Sequence, residues 1–269
     1  MNARLLIIDP QNDFCDIPGA ALPVPGANAD MLRLADFMKE ARGKLTDVTV
    51  TLDSHASVGI ERTTFWTAAN GQPVAPFTQI VESDVRAGLF APRDSQRLPE
   101  VLAYLAALEQ GGRYKLIVWP VHCVLGTWGH NIHAAVAAQL ATWEQETQRT
   151  AFRVLKGLNP MTEQYSAVQA EVPDERDPRT LANRALIEQA RPDGGLLLVA
   201  GEAASHCVAS TMEHLFAALD AAELRRIVIL SDCMSPVGSF EAQAAKFFAD
   251  ARAVGARVMT SAAALAELA

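Results

Sequence analysis

Six polar residues stand just beyond short apolar runs of this 269-residue chain, and their side chains are those used in nucleophilic, proton-transfer and metal-binding chemistry. Asp9 follows Leu5 to Ile8, Asp53 and His55 follow Val48 to Leu52, and His122 follows Leu116 to Pro120. Lys156 follows Phe152 to Leu155, and Cys207 follows Leu196 to Gly201. Taken singly, each has an ordinary structural explanation. A lone Asp after a strand is a turn former or helix cap, a lone Cys a small buried hydrophobe, a Lys before Gly a solvated loop residue, and a His a hydrogen-bonded core residue. Together they form five coincidences at one edge of one sheet, where the carboxyl ends of parallel strands line the crevice in which α/β proteins bind ligands.

The elements that must position these residues are readable from periodicity. The Val/Ile/Leu-rich runs at Leu5 to Ile8, Val48 to Leu52, Leu116 to Trp119, Phe152 to Leu155, Leu196 to Ala200 and Ile227 to Leu230 read as buried strands. Between them, Ala29 to Lys44, Gly129 to Gln139, Thr180 to Ala190, Ala209 to Ala222 and Phe240 to Val254 carry helical periodicity and many alanines. Val258 and Met259 add a terminal strand before a last helix. Such alternation predicts a three-layer α/β/α fold with a mostly parallel sheet. The length suits one domain over residues 1–269. The stretch 56–113, with Gly71, Pro73, Pro76 and Pro92, is the least regular and reads as an insertion. Phe65 and Trp66 within it either reach over the pocket or pack the insertion, and packing is the favoured expectation.

Composition narrows the function. Half of the residues are apolar and 20% are charged, which is ordinary for a chain that folds alone, and the net charge is -8 with no Lys/Arg cluster. Neither nucleic acid nor an anionic membrane surface is expected as a partner, whereas a small molecule is. Only four apolar residues precede Asp9, too few for the centre of a secretory signal, and no later run reaches a membrane span. The four cysteines, Cys15, Cys123, Cys207 and Cys233, form no CxxC pair, so a disulfide framework or thiolate zinc site is not suggested and a reducing cytoplasm fits best.

Several ordered motifs carry a family resemblance. They are Ile8-Asp9-Pro10-Gln11-Asn12-Asp13-Phe14 followed by Pro18 to Val24, Asp53-Ser54-His55, and Trp119-Pro120-Val121-His122-Cys123-Val124 with Gly126, Thr127 and Gly129. Lys156-Gly157 with Tyr165-Ser166-Ala167, and Gly201-Glu202-Ala203-Ala204-Ser205-His206-Cys207-Val208, complete the set. In this order they resemble the nicotinamidases within the isochorismatase-like cysteine hydrolases, and they cover most of the chain outside the insertion. The resemblance implies a triad of Cys207, Asp9 and Lys156. It also implies an oxyanion hole from the backbone N–H groups of Ala203 and Cys207, with a cis peptide at Glu202-Ala203. The expected chemistry is thioester formation on Cys207, with Asp9 moving the proton and Lys156 holding Asp9. A helix beginning at Cys207 and the Lys156 ammonium are expected to favour thiolate.

The resemblance further implies a divalent metal, zinc first with iron or manganese as alternatives, held by Asp53, His55 and His122. Residues two apart in an extended chain share a side, so Asp53 and His55 can meet one ion, with His122 closing the set from an adjacent strand. Phe14 and Trp119 match ring positions that bracket the substrate, and His206, beside the nucleophile, is a pocket candidate. Cys15, Cys123 and Cys233 read as structural, and His130, His133 and His214 as surface or packing residues. Two departures from the family pattern, Ala204-Ser205 and Glu202, bear on substrate preference. The expectation is therefore hydrolysis of nicotinamide to nicotinate and ammonia. The rivals are a relative acting on another small amide, ureido or carbamoyl compound, and a non-catalytic ligand-binding or scaffold protein. A homo-oligomer using the insertion as a contact surface is compatible with all of them.

Overall fold

A computed structural model describes residues 2–269. In chain order, β1 (Ala3–Ile8), α1 (Ala27–Ala41) and β2 (Leu45–Asp53) are followed by short pieces: β3 (Trp66–Ala68), β4 (Thr78–Ile80), α2 (Glu82–Arg86) and β5 (Phe90–Pro92). Then come α3 (Leu98–Gly111), β6 (Leu116–Val118), α4 (Ala134–Thr147), β7 (Phe152–Lys156), α5 (Arg184–Gln189) and β8 (Leu196–Gly201). The chain closes with α6 (Cys207–Ala218), α7 (Ala221–Leu224), β9 (Ile227–Leu230), α8 (Glu241–Ala253), β10 (Arg257–Met259) and α9 (Ser261–Leu268).

Six strands form one sheet in the order β10-β9-β8-β1-β2-β7, and every pairing in it is parallel. Alternation along β1 divides its side chains between two faces. Leu6 and Ile8 join an apolar cluster with α5, α6, α7 and α8, whereas Leu5 and Ile7 join another with α1, α4 and α9. Buried on both faces, the central strands are continuous apolar runs, which is why they are conspicuous in the sequence. Helix α1 shows the complementary period, with Met31, Leu34, Ala35 and Met38 buried along one side.

The expected α/β/α architecture is present, but the Leu116 to Trp119 run is placed differently. It supplies β6, which pairs antiparallel with β4 of the irregular stretch in a separate two-stranded sheet. The irregular stretch offers β6 a hydrogen-bonding partner that competes with the main sheet, and β3 and β5 make a second small pair. Ile60, Phe65, Trp66, Val101, Leu105 and Val118 gather there in a third apolar cluster, so Phe65 and Trp66 serve packing. The helix expected from Gly129 begins later, at Ala134. Its first residues are engaged elsewhere: the Gly129 and Asn131 carbonyls accept from Asp13 and Asn12 N–H, and His133 N–H donates to the Pro10 carbonyl. Among the described residues, no helix is long and apolar enough to cross a membrane.

Strand order reverses at β1: the chain proceeds from β1 to β2 and β7 on one side, then returns to β8, β9 and β10 on the other. The carboxyl ends of β1 and β8 flank this switch point, so Asp9 and the Glu202–Cys207 turn open into one crevice. Close approach of these strands requires Gly201, whose φ is 121° and where a Cβ would lie 1.9 Å from the Ile8 carbonyl oxygen. Gly201→Ala is therefore expected to abolish cooperative thermal unfolding, as monitored by circular dichroism, because β8 cannot pair with β1 around the added methyl.

Candidate active site and metal centre

Parallel register brings the charged residues together. Asp53 and Lys156 are Cα partners at the ends of β2 and β7, and Asp9 directly follows the neighbouring β1. The buried Lys156 ammonium lies 3.0 Å from Asp9 Oδ2 and 2.8 Å from Asp53 Oδ1. It also donates to the Gln164 carbonyl at 3.1 Å and reaches Cys207 Sγ at 3.5 Å. Burial alone favours the neutral amine, but Asp53 and Asp9 outweigh it and raise Lys156 well above its ordinary value. Asp9 is itself raised, chiefly by burial, against the lowering pull of Lys156. Its Oδ1 accepts from Thr51 Oγ1 at 2.5 Å, leaving Oδ2 directed at Lys156.

Cys207 is the first residue of α6, as expected, though the helix stops at Ala218 and a separately capped α7 follows. The expected resting thiolate is not what the surroundings favour. Burial pushes the thiol well above its ordinary value, and Asp9 and Asp53 add to that push, while Lys156 opposes it incompletely. The helix start and one ammonium do not offset full desolvation with two carboxylates nearby. A cis peptide joins Glu202 to Ala203. The Ala203 carbonyl accepts from His206 and Val208 N–H, bringing the turn to the helix start, where the first N–H groups have no acceptor within the helix.

Asp53, His55 and His122 place ligand atoms within 4.8 Å of one another. Asp53 Oδ1 is 2.8 Å from His55 Nε2, and Oδ2 is 3.2 Å from His122 Nε2. The other ring nitrogens have partners of their own: Glu61 Oε1 stands 3.2 Å from His55 Nδ1, and His122 Nδ1 lies against both the Pro120 carbonyl at 2.8 Å and Arg62 Nη1. That arrangement orients both Nε2 atoms inward, the pattern outer partners impose on metal-binding imidazoles. Burial and Arg62 lower His122 to about 4, so it is neutral and available as a ligand. Against expectation, His122 arrives from the loop after β6, outside the main sheet, where Arg62 holds the Pro120 carbonyl at 3.1 Å. The donor set fits a divalent ion.

Phe14, Trp119 and His206 line a narrow pocket with Asp53, His55, His122, Lys156, Ala203 and Cys207. Phe14 packs on His122 with ring centroids 5.3 Å apart, and Trp119 meets His206 edge-on at 5.3 Å. The sequence motifs include Tyr165 and Leu22 without giving them a pocket role, and Glu61, Glu163 and Val237 stand outside every motif; all five line the same space. Trp119 Nε1 donates to Glu163 Oε2 and to the Tyr165 hydroxyl, both at 3.1 Å. Tyr165 carries a usable signal in its place within the lysine segment; Glu61 lies in the irregular stretch and carries none. Cys15, Cys123 and Cys233 are buried free thiols outside the pocket.

This architecture is the α/β fold of isochorismatase-like hydrolases: an isochorismatase-family protein from Desulfovibrio vulgaris superposes with TM-score 0.55 at 20% identity, covering 99% of this chain and 98% of that one. Within that fold the similarity runs to nicotinamidases. The yeast nicotinamidase bound to the inhibitor nicotinaldehyde gives TM-score 0.64 at 21% identity, covering 96% of this chain and 99% of that one. A pyrazinamidase from Pyrococcus horikoshii in complex with zinc gives TM-score 0.52 at 16% identity, covering 97% and 99% of the two chains. In sequence, the chain is 26% identical to the nicotinamidase of Saccharomyces cerevisiae over 138 residues, a match spanning 51% of each protein. No protein-family model matches the chain.

Gly157 leaves the space the imidazole needs: its φ is 76°, and a Cβ there would lie 2.5 Å from His55 Cε1 and 3.2 Å from Asp53 Oδ1. Gly157→Ala is expected to cut bound metal below half of the wild-type content in elemental analysis while leaving a cooperative unfolding transition, since the glycine is beyond β7.

Proposed function

We propose that this protein is a metal-containing cysteine amidohydrolase that converts nicotinamide and water to nicotinate and ammonia. The observation that carries the reading is one ammonium, Lys156, touching Asp9, Asp53 and Cys207 at once, beside an Asp-His-His set in an aromatic-lined pocket. The similarity to yeast nicotinamidase supports it. Residues 1–269 act as one hydrolase unit, with 56–113 contributing Glu61 and Arg62 around the metal ligands. Four buried free cysteines support a reducing, cytoplasmic setting.

In this reading Phe14 and Trp119 bracket the pyridine ring and His206 closes the pocket beside the nucleophile. Asp9 accepts the Cys207 proton as Sγ attacks the carboxamide carbon, and the carbonyl oxygen takes the developing charge toward the Ala203 and Cys207 N–H groups. As the C–N bond breaks, Asp9 returns the proton to the departing nitrogen, releasing ammonia and leaving a thioester. Asp9 then takes a proton from water, whose oxygen attacks the thioester carbon. The C–S bond breaks to give nicotinic acid, which loses its carboxyl proton to solvent as nicotinate, and the proton on Asp9 returns to sulfur. Lys156 keeps the Asp9 carboxylate in place throughout. Asp53, His55 and His122 would hold a divalent ion, zinc by the precedent of the Pyrococcus horikoshii pyrazinamidase, which would supply a Lewis acid toward the ring nitrogen.

Ammonia release from a panel of amides tests the substrate: nicotinamide is expected to lead, and hydrolysis of only ureido or carbamoyl compounds would replace the substrate while keeping the class. Cys207→Ala is expected to lower kcat by about four orders of magnitude or more with the fold retained, and Asp9→Asn by about two to four orders. Appreciable ammonia release by folded Cys207→Ala would remove the nucleophile assignment. Stripping the metal is expected to lose nicotinamide turnover far more than alkylation of Cys207 by iodoacetamide, because the anchor acts on the ring and not on sulfur.

A further inference from the structure

The proposed reaction gives no role to Glu202, a wholly buried acid at the turn before the nucleophile. Glu202 directly precedes Ala203, and its Oε2 accepts the Ser235 N–H at 3.1 Å, while Oε1 has no hydrogen-bond partner. Asp30 of α1 lies beside it, accepting from Arg33 Nη2 and, at 2.5 Å, from Ser235 Oγ. The Ser235 carbonyl accepts Ala204 N–H at 2.9 Å, and Val237 N–H donates to Ser205 Oγ at 3.0 Å. Residues 202–205 and 235–237 are thus laced together, and Val237 lines the pocket. Gly26 makes room for this lacing, since a Cβ there would stand 2.9 Å from Ser235 Oγ.

We propose that Glu202 is a positioning residue for the Ala203–Cys207 turn: its carboxyl group, bonded to Ser235 and facing Asp30, keeps the oxyanion-binding N–H groups and the Val237 wall in register. The inference rests on the amidase reading above. An aliphatic side chain of similar volume fills the space but neither accepts the Ser235 N–H nor presents a carboxyl group to Asp30. Two buried carboxyl groups facing each other do not both carry charge. Asp30 already receives donors from Arg33 and Ser235, so the proton of the pair sits on Glu202. Burial first, then Asp30 and Asp16, drive Glu202 well above its ordinary 4.5. The remaining groups around it do not reverse this. Cys15 is itself pushed to about 12 by burial and Glu202, and Cys233 contributes its carbonyl to Gly201 N–H.

Folding takes up the Glu202 proton, so that contribution to stability is full below the ordinary carboxyl range and is lost as pH rises through the folded-state value. Glu202→Gln keeps an acceptor for Ser235 and places an N–H toward Asp30 without a titrating proton. Its thermal midpoint is expected to gain steadily on the wild type from about pH 5 to pH 8. Its kcat on nicotinamide, and the rate of Cys207 alkylation by iodoacetamide, stay within about threefold of wild type at neutral pH. Glu202→Leu is expected to lose about tenfold or more in kcat with KM little changed, and to alkylate about threefold more slowly, because the turn carries both the oxyanion donors and the thiol beside Lys156. Wild-type kcat and alkylation in Glu202→Leu, or a Gln-to-wild-type midpoint gap that does not vary with pH, would overturn the proposal. If Glu202→Leu does not fold, the Gln pH series decides. If the wild type releases no ammonia from nicotinamide, the nicotinamide reading falls and alkylation of the variants still decides the positioning role.

Discussion

The site depends on a buried ammonium shared by two carboxylates. Isolated in an apolar core, the Lys156 charge would cost several kcal/mol, and so would either carboxylate. Held between Asp9 and Asp53 at the ends of three consecutive sheet strands, each charge offsets the desolvation of the others. Parallel pairing alone sets this geometry, because Asp53 and Lys156 are register partners. The same contact joins the two halves of the pocket: one end of Lys156's environment is the Cys207–Asp9 pair, and the other is the Asp-His-His set. A change that shifts β7 against β2 disturbs both at once.

Charge balance gives the metal set a further rationale. Asp9, Asp53 and Glu61 face Lys156 and Arg62, three carboxylates against two permanent cations, all buried. An excess of negative charge in a low-dielectric pocket favours a bound cation, and the inward-facing Nε2 atoms of His55 and His122 define where it sits. Glu61 and Arg62 come from the irregular stretch, whose own apolar cluster around Trp66 makes that part of the chain firm enough to hold them. The stretch is thus tied to the pocket through two buried ionic side chains, although its surface looks like an appendage to the sheet.

What could be read from the sequence followed from burial. Strands covered on both faces, such as Leu196 to Gly201, are unbroken apolar runs, and the polar residue after each run marks the crevice. β6 has the same composition, yet it pairs with Thr78 to Ile80, since strand composition reports burial and not the partner. The start of α4 was misplaced because local periodicity cannot show that Gly129 to His133 spend their backbone groups on the segment after β1. Glu61 and Glu163 were invisible for a different reason. They lie in irregular chain, where nothing periodic marks which side faces inward, and only the tertiary arrangement turns their carboxyl groups into the pocket.

The protonation of Cys207 shows how tertiary burial decides what residue types leave open. A cysteine at a helix start near a lysine suggests thiolate, but here both the thiol and Lys156 are buried, and Lys156 already spends its charge on Asp9 and Asp53. The sulfur therefore keeps its proton at rest. A resting thiolate would need no base for its attack, whereas a resting thiol needs one in contact. Asp9, raised by the same burial, has the greater proton affinity that this task requires, so desolvation moves donor and acceptor in the same direction and leaves the transfer between them feasible. In the proposed reaction the activating group is thus Asp9, and Lys156 serves to keep a basic carboxylate charged inside the core.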